Sequence, residues 1–328
     1  MHAFLCHEYG EAETMKVEEA PPPEMVEGGV RIAIKAAGVN FADTLIIKGE
    51  YQVRPPFPFS PGLEAAGVIT ECAPGVTRFK PGDRVMAMTG HGGFATETVT
   101  AEENVVAIPD NMEFVEAAGF PSVYGTSHIG LVDKVNLQAG ETLLVHGAAG
   151  GVGLTAVEIG KKLGATVIAT AGGKDKLEVA KQYGADFLID YREEDIRDKV
   201  KEFTDGRGVD AVYDPVGGSA FDASLRCTAP RGRILVVGFA SGTIPQIPAN
   251  IILVKNITVI GYYWGGHRKF DPDLVLRSFD ELMAWYEAGD LKPHISHTFP
   301  LADTAKAMAM LTSRKSTGKV VITMDGYD

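Results

Sequence analysis

Leu143-Leu-Val-His-Gly147-Ala-Ala-Gly150-Gly151-Val-Gly153-Leu154 decides how the chain is read. An apolar strand runs into closely spaced glycines and then into a helix whose apolar residues Val152, Ala156, Ile159 and Leu163 recur on one face. The apolar run 166–170 closes a βαβ unit. Each part has a physical purpose. Gly150 lacks a Cβ, so backbone N–H groups can approach an anion. Gly153 lets the helix lie close to the sheet, and the helix N-terminus offers unpaired N–H groups and positive partial charge. Ala149, Gly150, Gly151 and Val152 are therefore candidate pyrophosphate-binding positions. The G-x-G-x-x-G pattern departs at its first position, where Ala148 stands.

Outward from this turn, apolar strands at 142–146, 166–170, 187–190, 211–214, 234–238 and 257–262 alternate with helical patterns at 152–163, 174–183, 193–204 and 220–227. That rhythm predicts an α/β fold built on a doubly wound parallel sheet, a Rossmann domain. Upstream the texture differs. Eleven of the 18 prolines precede residue 124. Short runs at 30–36, 66–72, 84–88 and 95–99 are separated by Gly/Pro turns, which predicts a β-rich unit. Downstream, helices at 271–288 and 302–312 precede a strand at 320–324. By composition alone that strand either extends the parallel sheet or returns to the first domain.

The 328 residues, 45 % hydrophobic and 23 % charged, suit about two soluble domains. A net charge of −12 disfavours nucleic acid and anionic lipid as partners. Cys6, Cys72 and Cys227 form no C-x-x-C pair and are expected as buried free thiols in a reducing cytoplasm. No run of about 18 apolar residues predicts a membrane span, and no leader pattern opens the sequence. Cofactor choice is read at Ala169-Thr170-Ala171-Gly172-Gly173-Lys174-Asp175-Lys176. An NAD site ends the second strand with an acid for the ribose diol. Here no acid ends it and two lysines follow, separated by Asp175, which points to NADP(H).

With these features in place, the chain resembles the medium-chain dehydrogenase/reductase superfamily. Within it, the chain is similar to the zinc-independent quinone oxidoreductase group (NADPH:quinone reductase, zeta-crystallin-like). The resemblance runs along the whole sequence through Ala37-Gly-Val-Asn40-Phe-Ala-Asp43, Gly49-Glu-Tyr51, Pro61-Gly-Leu-Glu64-Ala-Ala-Gly67, Pro81-Gly-Asp-Arg-Val85, the glycine turn, Asp190-Tyr191-Arg-Glu-Glu194 and Asp214-Pro-Val-Gly-Gly218. It implies a GroES-like catalytic domain from residues 1–123 and 266–328, a Rossmann NADP(H) domain from 124–265, and an active site in the cleft. Where zinc-dependent members carry a ligand Cys and Gly-His-Glu, this chain has Asn40 and Gly62-Leu63-Glu64, so no metal is expected.

The resemblance implies site residues as well. Asn40, Asp43 and Tyr51 belong beside the nicotinamide. The Asn40 amide and the Tyr51 phenol are donors suited to a carbonyl oxygen that gains charge, with Asp43 orienting the loop or binding a hydroxyl. Thr126, Gly238-Phe239-Ala240 and Tyr262-Tyr263-Trp264 match the nicotinamide side. Gly172, Gly173, Lys176 and Tyr191 match the adenosine-phosphate end, and Arg314 is a further candidate for the 2′-phosphate. The expected activity is NADPH-dependent hydride transfer to a quinone or related activated enone. The alternatives are an enoyl-thioester (acryloyl-type) reductase and a non-catalytic NADPH-binding relative of the crystallin or RNA-binding kind. A homodimer paired through the sixth strand, 257–262, completes the expectation, since an apolar sheet edge calls for a partner.

Overall fold

Alternation organises the first unit. In the strand Gly29–Val39, Val30, Ile32 and Ile34 are buried while Arg31, Ala33 and Lys35 face outward to varying degrees. Val30 and Ile32 enter one apolar cluster with Ile69 and Val85. Ile34, Ala37 and Val39 enter a second with Phe4, Ile46 and Phe94. One long strand thus seats two cores. The structure, a computed structural model, describes residues 1–327. Its first unit comprises Met1–Ser122 and the chain from Lys292 onward; its second is Val123–Leu291.

The first unit's sheet runs in the order Ile295–Pro300, Lys319–Thr323, Gly29–Val39, Glu64–Cys72, Arg84–Ala87 and Val105–Ala107, with Glu97–Ala101 also paired to Gly29–Val39. The closing strand Lys319–Thr323 pairs antiparallel with 36–39, so it returns to the first unit, not to the parallel sheet. Residues 266–291, expected with the catalytic domain, cluster instead with the second unit. Their helix Pro272–Glu287 buries Val275, Phe279 and Leu282, and Ser278 Oγ lies 2.9 Å from His128 Nδ1.

The second unit holds six strands, every neighbouring pair parallel, in the order Phe187–Asp190, Thr166–Ala171, Thr142–Val145, Val209–Asp214, Thr228–Val236 and Thr258–Gly261. The order reverses direction between Thr142–Val145 and Val209–Asp214. That switch point is where doubly wound sheets open a crevice at their carboxyl ends. The expected helices form at Gly151–Lys162, Lys174–Gln182, Ile196–Phe203 and Gly218–Cys227. The third begins later than its pattern suggests. Glu193 and Glu194 first turn back on the Asp190 carbonyl, and Asp195 then caps the helix by accepting Asp198 N–H at 2.9 Å.

Other departures have local causes. The fifth strand starts at Thr228, six residues before the apolar run, because Thr228 and Ala229 are buried where the strand meets Val209 across an irregular register. Helices at Pro121–Ile129, Ala249–Lys255 and Trp264–Phe270 have no strong periodic signature. The first continues into one π-helical turn, Gly130–Lys134. All three cysteines are free; Cys6 and Cys227 are buried, whereas Cys72 is half-buried. No helix among the described residues is long and apolar enough to cross a membrane.

Candidate functional site

In the first unit, the sequence motifs around Asn40 converge on a buried ion pair. Lys319 Nζ lies 2.8 Å from Glu64 Oε1, with the two residues only 5 % and 0 % exposed. The same ammonium donates to Asn40 Oδ1 at 2.8 Å and to the Val39 carbonyl at 2.9 Å. Asn40 Nδ2 donates to Glu64 Oε1 at 2.8 Å, and Ser122 N–H donates to Glu64 Oε2 at 2.7 Å. The amide orientation follows from chemistry, since an ammonium only donates and a carboxylate only accepts. The Asn40 amide, expected to donate to a substrate carbonyl, is therefore engaged by Glu64 and Lys319.

Asn40 opens the short helix Phe41–Ile46, and Asp43 reaches back to accept the Asn40 N–H at 2.7 Å. Its other oxygen accepts Gly62 N–H at 3.2 Å. Asp43 is fully buried, and that burial, with the Glu64 charge adding to it, pushes its carboxyl up to about 7. The Asn40 N–H and the Lys319 charge act in the opposite sense. Tyr51 is half-buried against the core cluster that contains Ile46 and Phe59, and Leu63 packs on the same cluster. Among the described residues, no group of three His, Cys, Asp or Glu is arranged to hold a metal ion. Arg314 is exposed just past the helix Thr304–Thr312, in a left-handed conformation.

In the second unit, the glycine turn has the close packing its spacing suggests. A Cβ at Gly153 would stand 2.1 Å from the Gly147 carbonyl oxygen, so only glycine lets the helix meet the turn. Gly150 is the N-cap and no side chain caps the helix, leaving first-turn N–H groups for an anion. His146 precedes the turn fully buried, its ring nitrogens 3.0 Å from Thr170 Oγ1 and 2.8 Å from Ser224 Oγ; burial lowers its pKa. Across the switch point, Asp214 Oδ1 accepts the N–H groups of Val216 and Gly217, while its buried Oδ2 has no partner. Residues 237 and 238 bond back to the Asp214 carbonyl and Ala240 to that of Pro215, which shapes the loop bearing the exposed Phe239.

The structure also joins Thr126 to the loop after the sixth strand. Tyr262 Oη donates to the Thr126 carbonyl at 3.0 Å. The Trp264 ring lies on Gly125, where a Cβ would come within 2.9 Å of Nε1. That indole N–H is buried without a partner, an unspent donor beside Thr126. Trp264 opens the helix Trp264–Phe270, and Tyr263 is exposed.

At the end of the second strand, Gly172 and Gly173 lead into the helix Lys174–Gln182, with Lys176 half-buried in its first turn. No acid ends this strand. Asp190 ends its neighbour, but its carboxylate is taken up by the N–H groups of Gly173 and Arg192, each at 3.1 Å. A Cβ at Gly172 would stand 2.7 Å from Tyr191 Oη and 2.8 Å from Arg192 Nε. These bare glycines, the uncapped helix and the unspent indole donor form features that fit a phosphorylated dinucleotide. Lys319, Asp214 and Arg192 were absent from the residue set expected from sequence. A lysine beside an apolar run and an arginine after a strand carry no local sign of their partners.

Two family models match the chain: the alcohol dehydrogenase GroES-like domain over residues 26–110 and the zinc-binding dehydrogenase family over residues 151–279. A quinone oxidoreductase-like protein 2 homolog from Nematostella vectensis is 44 % identical, the match covering 98 % of this chain and 88 % of the relative. A quinone oxidoreductase from Pseudomonas aeruginosa is 36 % identical over 96 % of this chain and 97 % of its own. Among solved structures, Escherichia coli quinone oxidoreductase complexed with NADPH superposes with a TM-score of 0.91 at 31 % identity, covering 98 % of this chain and all of that one.

Proposed function

The chain belongs to the medium-chain dehydrogenase/reductase superfamily, among its quinone oxidoreductase-like oxidoreductases, and from that premise we propose that it uses NADPH to reduce a quinone or a related activated enone without zinc. The observation that carries this reading is the end of the second strand. Two glycines stand there, Tyr191 and Arg192 lie against them, and the nearby Asp190 carboxylate is committed to backbone N–H groups. A carboxylate at this place would bind a ribose diol and repel a 2′-phosphate; this arrangement favours the phosphate.

NADPH, when bound, supplies the hydride. The backbone of residues 149–152 would hold the pyrophosphate at the helix N-terminus. Gly172, Gly173, Lys176 and Tyr191 would hold the adenosine phosphate. Thr126, the loop 238–240 and residues 262–264 would hold the nicotinamide, the Trp264 indole offering its free donor. We assign Tyr51 to the oxyanion that develops on the substrate as hydride arrives. Asn40 and Asp43 act by holding the turn after Val39 in shape, since their polar atoms are bonded within the protein.

A screen of NADPH oxidation against benzoquinones, naphthoquinones, enals and acryloyl thioesters tests the reading, with metal content measured on the same sample. Turnover with quinones or enals at no stoichiometric zinc is expected. Turnover confined to thioesters would move the chain to a different substrate class, and activity lost with a chelated zinc would overturn the metal-free mechanism. A cytoplasmic location accords with three free thiols and is checked by cell fractionation.

We extend the reading to a homodimer. Thr258–Gly261 is the terminal strand of the parallel sheet, and beside it in sequence the helix Ala249–Lys255 exposes Leu253 and Val254 at 76 % and 75 %. An unpaired edge next to bare apolar side chains is relieved by a two-fold copy. Light scattering is expected to give a dimer mass for wild type and a monomer for the Leu253→Asp/Val254→Asp variant; a monomeric wild type at micromolar concentration would refute the pairing.

A further inference from the structure

We propose that Arg192 is a determinant of cofactor choice, its guanidinium, laid against the Gly172–Gly173 turn, binding the 2′-phosphate that separates NADPH from NADH. The inference rests on the NADP(H) reading above and names the residue that would enforce it. Arg192 Nε lies 2.8 Å, and Nη1 3.5 Å, from where Cβ atoms at Gly172 and Gly173 would stand. Tyr191 Oη comes within 2.7 Å of the first of these positions. A cation and a hydroxyl therefore meet over the same two residues, where neither could lie if residue 172 carried a side chain.

The chain holds them there by backbone lacing. Phe187–Asp190 runs parallel to Thr166–Ala171, with Asp190 opposite Ala171. Tyr191 N–H donates to the Ala171 carbonyl at 3.3 Å. Asp190 then uses one carboxylate oxygen for Gly173 N–H and the other for Arg192 N–H. The two residues after the third strand are thereby fastened to the two residues after the second.

Charge supports the same assignment. Among the described residues Arg192 forms no ion pair, and it is exposed, so its guanidinium is available to a ligand. Two of the nearby acids are engaged elsewhere: Asp190 on backbone, and Glu194 on Asp190 N–H and Lys199. A guanidinium is always charged and presents a planar fork of donors that suits phosphate. NADH offers it only a hydroxyl, so its removal should act on one cofactor and not the other. Lys176, on the helix that follows, is a point charge without that fork.

Calorimetric titration of wild type, Arg192→Ala and Arg192→Lys with NADPH, NADH, 2′,5′-ADP and 5′-AMP tests this by binding alone. Arg192→Ala is expected to weaken NADPH and 2′,5′-ADP by about 10- to 100-fold, to leave NADH and 5′-AMP within about 2-fold, and to flatten the salt dependence of NADPH binding. Arg192→Lys should recover part of the loss. If wild type prefers NADPH and Arg192→Ala keeps that preference, or weakens all four ligands alike, the assignment of Arg192 fails while the cofactor reading stands. If wild type binds NADPH and NADH equally, both fail. The melting temperature of Arg192→Ala should match wild type because the side chain is exposed; should that variant misfold, Arg192→Gln carries the same comparisons.

Discussion

Lys319→Met is expected to destabilise the first unit by about 3–5 kcal/mol, the cost of stranding a buried charge without its partner. Methionine fills a similar length but cannot donate. Glu64, with no solvent exposure, would lose its cation, and Asn40 Oδ1 and the Val39 carbonyl would each lose a donor. The damage should also reach the Asn40–Asp43 turn, because Lys319 ties the closing strand to it. Adding Glu64→Gln to Lys319→Met should return part of the stability, since removing both charges leaves no unpaired ion. Urea unfolding of wild type, the two single variants and the double variant closes the cycle. A Lys319→Met protein within about 1 kcal/mol of wild type would show that this pair does not brace the turn.

Gly153→Ala is expected to cost about 3 kcal/mol, or roughly 6–12 °C of melting temperature at this size. The added Cβ would stand 2.1 Å from the Gly147 carbonyl oxygen and 2.7 Å from its carbon, both backbone atoms that cannot swing away. Helix Gly151–Lys162 would have to lift from the turn, taking with it the N-terminus proposed to hold the pyrophosphate. Gly150→Ala makes the contrast. Its Cβ would meet only the Gly147 oxygen, at 3.3 Å, and its φ of −82° suits alanine. That variant should melt within about 2 °C of wild type yet bind NADPH about tenfold more weakly, because a methyl group stands where the phosphate approaches. Thermal melts paired with NADPH titration separate the two effects. Equal melting temperatures for the two variants would remove the packing argument, and unchanged affinity in Gly150→Ala would remove the phosphate argument.

By itself the sequence determined the features whose signals are local. A strand, a glycine turn and a helix lie within about twenty residues of one another, and hydrophobic period distinguishes them. The parallel sheet, the β-rich unit and the strand end without an acid were legible for that reason. Partnership across the chain was not. Lys319 meets Asn40 from 279 residues away and Glu64 from 255, and in sequence it looks like any surface lysine at the start of an apolar run. Asn40 was legible as a motif residue, but its commitment to Glu64 and Lys319 was not. Residues 266–291 and the fifth strand's polar start were assigned by the packing of helix Pro272–Glu287 and by the register beside Val209, neither of which leaves a periodic trace. Arg192 was visible only as a residue after a strand. It faces Gly172 because parallel pairing sets the ends of the second and third strands side by side. Residue type and local period specify each element, whereas the topology of the sheet decides which buried charge finds which partner.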